Sequence, residues 1–213
     1  MERRGVRFSR KGCDASRGLQ PVRRRTPTNR TGLPATVLLS GGIDSAACAH
    51  LLRARGHDVG GFFVDYGQAA ANPEECAAKS IASQIGIPLG VYRVLGGPYF
   101  TPGELIGRNA FLLLSAVLLA PNKSGLVAIG VHAGTTYYDC SFAFIEKMGR
   151  LISEHTDGTL QLLAPFLKWN KKDVFDYFAK SGIPLELTYS CEAGVVPPCG
   201  RCASCRDRRI LGC

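Results

Sequence analysis

A short apolar run over residues 36–39 ends in Ser40-Gly41-Gly42-Ile43-Asp44-Ser45, and a helical pattern follows at once. A strand that turns through two glycines directly into a helix is how α/β layer folds begin, and the chain keeps this alternation to its end. The spacing predicts a helix over 46–55 stopped by Gly56 and a buried strand over 59–64. A helix over 73–85 follows, with Pro at its start and Gly86 at its end, then a strand over 89–94. A helix over 108–119, a strand over 126–131, helical periodicity over 139–153, a fifth strand over 160–163 and a helix over 171–181 complete the series. Strands separated by helices imply a parallel open sheet with helices on both faces. Ligands of such sheets bind at the carboxyl ends of the strands, near the topological switch point.

With 213 residues, 46% of them apolar, the chain can build one well-buried domain, which excludes wholesale disorder. Its longest apolar run, around 111–121, is too short to span a bilayer, so no membrane segment is expected. The net charge of +9 is unevenly placed: residues 1–34 hold ten Lys/Arg and two acids, leaving 16 basic and 15 acidic residues elsewhere. Residues 1–34 therefore read as a disordered basic arm and residues 35–213 as a nearly neutral folded body. A neutral body argues against a broad nucleic-acid face, and nucleic acid is not required as a partner.

The glycine loop carries the first chemical signal. Two glycines let a ligand approach the main chain, and the amides of the turn and the following helix N-terminus point outward with partial positive charge. Ser40 and Ser45 add hydroxyls, and Asp44 can cap the helix or help hold Mg²⁺. The pattern is neither a Walker A loop nor a dinucleotide-binding G-x-G-x-x-G.

The second signal is Cys191-x₇-Cys199-x₂-Cys202-x₂-Cys205, four of nine cysteines within fifteen residues, in a segment rich in Gly and Pro. Four soft ligands with short spacings suit tetrahedral Zn²⁺, with Arg201, Arg206, Arg208 and Arg209 on hand to stabilise thiolate charge. A ferredoxin-type cluster would place the fourth cysteine downstream, whereas here it lies upstream. The site is expected to be structural, a zinc loop over 190–206. An odd cysteine total without an apolar secretory stretch fits a reducing, cytoplasmic setting.

Ser-Gly-Gly-x-Asp-Ser after a first strand resembles the pyrophosphate loop of the N-type ATP pyrophosphatases, the adenine nucleotide alpha hydrolase-like fold. The resemblance narrows with Asp65-Tyr66-Gly67-Gln68, Gly107-Arg108-Asn109-Ala110-Phe111-Leu112, Tyr138-Asp139-Cys140, and Thr188-Tyr189-Ser190-Cys191 leading to the terminal cysteines. In order and spacing these segments resemble the 7-cyano-7-deazaguanine synthase family of queuosine precursor biosynthesis. That resemblance implies an ATP-dependent ligase that adenylates the carboxylate of 7-carboxy-7-deazaguanine, admits ammonia to form the amide, and uses a second ATP to reach the nitrile. It implies nucleotide contacts at Leu39, Ser40, Gly41, Gly42, Ile43, Asp44, Ser45 and Ala46, with Mg²⁺ accompanying ATP. Catalytic roles fall to Asp44, Ser45 and Lys171, and substrate contacts to Arg108 and Asp139. Homodimerisation is an expectation from the resemblance alone.

The segment over 130–141 departs from the family pattern. It is short, lacks an acid after the fourth strand, and has Ser141 where arginine is expected. Other readings are a paralogue that adenylates a different acceptor, in antiviral defence for example, a tRNA thiolase, and a zinc-ribbon nucleic-acid binder. A thiolase would want a redox pair of cysteines near the loop, which the sequence lacks. The four histidines show no ligand spacing and receive no role.

Overall fold

The computed structural model describes residues 32–101 and 103–213. The arm expected over 1–34 lies, as far as residue 31, outside them. Residues 32–34 belong to the body: β1 spans Pro34–Leu38, the Gly32 amide donates to the Gly56 carbonyl at 3.3 Å, and His57 Nδ1 meets the Leu33 carbonyl at 3.1 Å. The boundary falls before the proline because β1 needs Pro34 to complete its register with Asp58.

After β1 come α1 (Ile43–Ala54), β2 (Asp58–Asp65), α2 (Ala71–Ile85), β3 (Leu89–Arg93), α3 (Arg108–Leu119) and β4 (Gly125–Ala128). Then follow α4 (Phe142–His155), β5 (Leu160–Leu163), α5 (Lys171–Lys180) and α6 (Ala203–Ile210), with single 3₁₀ turns at Tyr138–Cys140 and Leu185–Leu187. All strand pairs are parallel, in the order β3-β2-β1-β4-β5. The chain builds outward from β1 to β3, then returns to the other side of β1. The switch point therefore lies between β1 and β4.

Alternate residues of each strand feed opposite faces. Ala35, Val37 and Leu39 with Val59 and Phe63 pack under α1, α2 and α5, while Leu38, Phe62, Val64 and Val127 pack against α3 and α4. The expected open parallel sheet with helices on both faces is the observed architecture.

Strand β4 stops at Ala128, short of the expected 131, and α2 starts at Ala71, ahead of the expected 73; three further differences bear on the site. Helix α1 begins at Ile43, not 46, so Asp44 and Ser45 stand in its first turn with Gly42 as N-cap. The helical signal over 139–153 is two pieces, because the Ser141 hydroxyl accepts from the Phe144 amide and caps a new helix after the 3₁₀ turn. The zinc loop over 190–206 is not wholly a loop, since Cys202 is the N-cap of α6 and Cys205 sits on it.

Candidate active site

The Ser40–Ser45 turn lies where β1 ends, facing the end of β4 across the switch point. Gly41 has φ +85°, and a Cβ there would come within 2.7 Å of the Glu74 carbonyl and 2.8 Å of Ala77 Cβ. Gly130, just past β4, is as confined: a Cβ would sit 2.7 Å from the Asp44 carbonyl and 3.1 Å from the Ser45 amide. Helix α1 is thus pressed against two backbones, which fixes where its N-terminal amides aim. The Ser40 hydroxyl donates to Ser45 Oγ at 3.2 Å and Ser45 Oγ donates to the Gly42 carbonyl at 3.0 Å, bracing the turn.

A cleft of about 330 Å³ opens in front of this turn, and a second of about 260 Å³ adjoins it. Both are lined by Ser40, Asp44, Glu74, Arg108, Lys171 and Glu192. Lys171, at the start of α5, places Nζ 2.8 and 2.6 Å from the two carboxylate oxygens of Asp44. Asn170 and Asp173 form a reciprocal cap that sets the start of α5 and hence the direction of Lys171.

His132 stands beside this pair, its Nε2 4.0 Å from Asp44 Oδ2. Its Nδ1 accepts from the Gly134 amide at 3.0 Å, so the neutral ring carries its proton on Nε2, toward Asp44. Burial lowers the His132 pKa, Asp44 works against this, and Lys171 adds to the lowering. No histidine spacing in the sequence announced this residue. Its position two residues beyond Gly130, at a strand end, was the available signal.

Arg108 opens α3 on the opposite wall, beside Tyr66, Gln68 and Glu74. Asp139 departs from its expected place. Its carboxylate accepts from the Asn109 amide at 3.3 Å and its carbonyl from Asn109 Nδ2 at 3.0 Å, while Asn109, Tyr137 and Cys140 line the cleft in its stead. An acid placed against the exposed amides of a helix N-terminus satisfies them, and this one ties the 3₁₀ turn to α3.

The four clustered cysteines converge, with all Sγ atoms within 4.8 Å of one another and Cys199 Sγ 4.0 Å from Cys205 Sγ. Zn–S bonds of about 2.3 Å place tetrahedral sulfurs about 3.8 Å apart, so the set fits one ion. The Cys199 amide donates to Cys191 Sγ at 3.3 Å and the Cys202 amide to Cys199 Sγ at 3.4 Å, as suits thiolates. Burial works against ionisation of Cys191, yet the amides of Cys199 and Ala193 bring its thiol down to about 6. Burial first, then hydrogen bonding with the neighbouring cysteine side chains, pushes the Cys205 thiol up to about 12.

The side chains of Arg206, Arg208 and Arg209 hold groups other than the sulfurs, while the Arg201 amide supports the Cys199 thiolate. Arg206 grips the Arg201 carbonyl at 2.9 Å, Arg209 the Gly200 carbonyl at 2.5 Å, and Arg208 the hydroxyls of Ser190 and Thr188. Arg206 and Arg209 brace the segment's backbone, and Arg208 ties α6 to the side chains ahead of Cys191. Two contacts join the cluster to the cleft. The Tyr189 amide donates to the Gly41 carbonyl at 2.9 Å, and Glu192, next to Cys191, accepts from the Ser204 amide and hydroxyl at 3.0 and 2.9 Å. Glu192 and Ser204 are cleft-lining residues that the sequence reading passed over.

The 7-cyano-7-deazaguanine synthase of Rhizobium johnstonii is 32% identical over 200 residues, covering 81% of this chain and 84% of its own. That of Brucella canis is 32% identical, covering 81% and 86%. Among solved structures, the U34-tRNA thiolase NcsA from Methanococcus maripaludis is 18% identical with a TM-score of 0.47, covering 85% of this chain and 64% of its own, too distant to bear on the chemistry. The family model for queuosine biosynthesis protein QueC matches residues 34–95 and 102–210, and the chain belongs to that family.

Proposed function

We propose that the chain converts 7-carboxy-7-deazaguanine and ammonia to 7-cyano-7-deazaguanine, with ATP activating first the acid and then the amide. The observation that carries this reading is the convergence of the Ser40–Ser45 turn, the Asp44–Lys171 pair and the Arg108 wall on one cleft, in a chain whose relatives bear that enzyme's name.

The protein's task is placement. A carboxylate is a poor electrophile, and transfer of AMP to its oxygen makes it a good one. The amides of the turn and of the α1 N-terminus receive the departing pyrophosphate, with Ser40 and Ser45 holding the turn's shape. Lys171 turns from Asp44 to the phosphates as they arrive, and Asp44 faces the cation that ATP brings. Mg²⁺ supplies charge neutralisation on the phosphates. Arg108 receives the substrate's carboxylate. Asp139 acts on the substrate through the Asn109 side chain and the turn it secures.

Cys191, Cys199, Cys202 and Cys205 hold Zn²⁺ in a closed structural site. Through Tyr189 and Glu192 the ion's loop shapes the rim of the nucleotide cleft. No helix among the described residues is long and apolar enough to cross a membrane. ATP and zinc thiolates suit a cytoplasmic enzyme. Phe111, Leu114 and Leu118, exposed along α3, offer a face for a homodimer.

Incubation with Mg-ATP, 7-carboxy-7-deazaguanine and ammonium tests the reading. Pyrophosphate release coupled to a nitrile product seen by mass spectrometry is expected. Pyrophosphate release only with some other acid acceptor would favour the paralogue reading, for which the departure over 132–141 is the motive.

A further inference from the structure

Four carboxylates reach the cleft lining, and three are paired or lie in water. Asp44 is bound by Lys171, Glu192 accepts from the amide and hydroxyl of Ser204, and Asp207 is exposed. Glu74 is different. It stands in the first turn of α2, partly buried, and among the described residues no Lys or Arg lies within ion-pair distance of it, Arg108 acting on it only from farther off. Its Oε2 accepts from Gln68 Nε2 at 3.0 Å. Gln68 is itself fixed, donating to the Val64 carbonyl at 3.2 Å and accepting from the Tyr66 amide at 2.9 Å. That frame holds the carboxylate at the cleft lining, and among the described residues Oε1 has no hydrogen-bond or ion-pair partner. The backbone of Glu74 packs directly on Gly41, so this acid is a close neighbour of the phosphate turn.

A carboxylate drawn out of water without a contact ion pair favours a cation or a proton. Ammonium brings both. Burial raises the Glu74 carboxyl above the usual range, while the Gln68 amide and Arg108 pull it down, so the group is a better proton acceptor than a glutamate in water.

We propose that Glu74 holds ammonium in the cleft and takes its proton for the amide-forming step. The assignment rests on the synthase reading above. One N–H bond of ammonium breaks and its proton passes to Glu74 Oε1. The freed nitrogen lone pair forms the C–N bond at the acyl carbon of the adenylate. The C–O bond to the AMP phosphate breaks, with its electron pair leaving on AMP. A second proton leaves the nitrogen to water, giving the neutral amide, and Glu74 returns its own proton to water. No oxidant or reductant is involved.

The test compares wild type with Glu74→Gln, which keeps the size and the site's shape. Pyrophosphate release from ATP and 7-carboxy-7-deazaguanine without ammonium reads the adenylation step. Amide and nitrile formation are then followed with ammonium chloride or with hydroxylamine, which is largely unprotonated near neutral pH and needs no base to free its lone pair. The expected result is adenylation within about 3-fold of wild type, product from ammonium down about 100-fold or more, and hydroxamate from hydroxylamine within about 3-fold.

Loss of pyrophosphate release in the variant would overturn the proposal and move Glu74 to nucleotide or carboxylate binding. Equal losses with both nucleophiles, or no loss with either, would also overturn it. A wild-type protein that releases no pyrophosphate with this acid would overturn the synthase reading and this assignment together. That outcome is distinguishable from a wild type that makes the nitrile while the variant matches it.

Discussion

Lys171 Nζ lies 2.6 Å from Asp44 Oδ2 although 127 residues separate them in sequence. The contact joins the first turn of α1 to the first turn of α5 directly before the phosphate turn. Both side chains are a little under one-third exposed, so the pair adds little to stability and its geometry serves the cleft. Replacing Asp44 by Asn or Lys171 by Ala should lower pyrophosphate release by about 100-fold or more. Unfolding free energy should change by about 1 kcal/mol or less. Rapid-quench assays and urea titrations read the two quantities. A variant that loses stability and keeps its rate would make the pair a structural strut.

Gly130→Ala should act on the same turn from behind. The added methyl would meet the Asp44 carbonyl oxygen and carbon at 2.7 and 2.9 Å, both backbone atoms that cannot swing aside. Either α1 shifts or β4 does. A cost of about 1–3 kcal/mol is expected, together with weaker ATP binding. Calorimetric titration with ATP and a urea midpoint measure these. Unchanged ATP affinity would mean that the turn tolerates movement of α1.

Much of the candidate site's placement was legible in the sequence because its patterns are local. The turn, Arg108 at a helix start, Lys171 at another and the four cysteines each sit within a short pattern that dictates its own geometry. What escaped depends on tertiary contact. Helix α6 carries Arg206, Arg208 and Arg209 and has no apolar stripe to announce it. It forms because Glu192, eleven residues before its start, satisfies the Ser204 amide and because Cys205 turns inward to the cluster. His132 and Glu74 face the cleft only because β4 and α2 meet α1, which no spacing rule reports. Helix α1 starts three residues ahead of the expected 46 for a plainer reason. Gly-Gly reads as loop, yet Gly42 is the cap and Ile43 already the first helical residue.

Glu75 offers a prediction about acid stability. It is buried on α2 and meets Lys79 Nζ at 2.6 Å and Arg93 Nη2 at 2.5 Å, linking α2 to β3. Burial alone would raise its pKa, but the two cations outweigh it and the net shift is downward. A depressed folded pKa means that the stabilisation is present above the unfolded carboxylate value near ~4.3 and is lost as pH falls through the folded value. Both cations are half exposed, so Glu75→Gln should cost about 1 kcal/mol at neutral pH. The gap to wild type should close once acid has protonated Glu75. Urea unfolding at a series of pH values measures it. A gap that persists in acid would assign the cost to packing.

The last prediction concerns the metal. Purified protein should hold one Zn²⁺ per chain on Cys191, Cys199, Cys202 and Cys205. Four thiolates saturate a tetrahedral ion and leave no position for water, so the ion contributes folding free energy and takes no part in the reaction. Its loss should be felt first along the contacts that leave the cluster. The Tyr189 amide ties the loop to Gly41, and Glu192 and Ser204 hold each other within the segment at the cleft lining, so Cys199→Ser should weaken ATP binding as metal content falls. The sheet does not depend on the cluster, and far-ultraviolet circular dichroism should keep its α/β signature. Cys213→Ser, outside the cluster, should change neither metal content nor affinity. Metal affinity should fall in acid as the thiolates protonate. Elemental analysis alongside ATP titration decides the matter. Iron with labile sulfide, or full metal occupancy in Cys199→Ser, would overturn the zinc assignment, and unchanged ATP binding after metal loss would cut the proposed link between the cluster and the cleft.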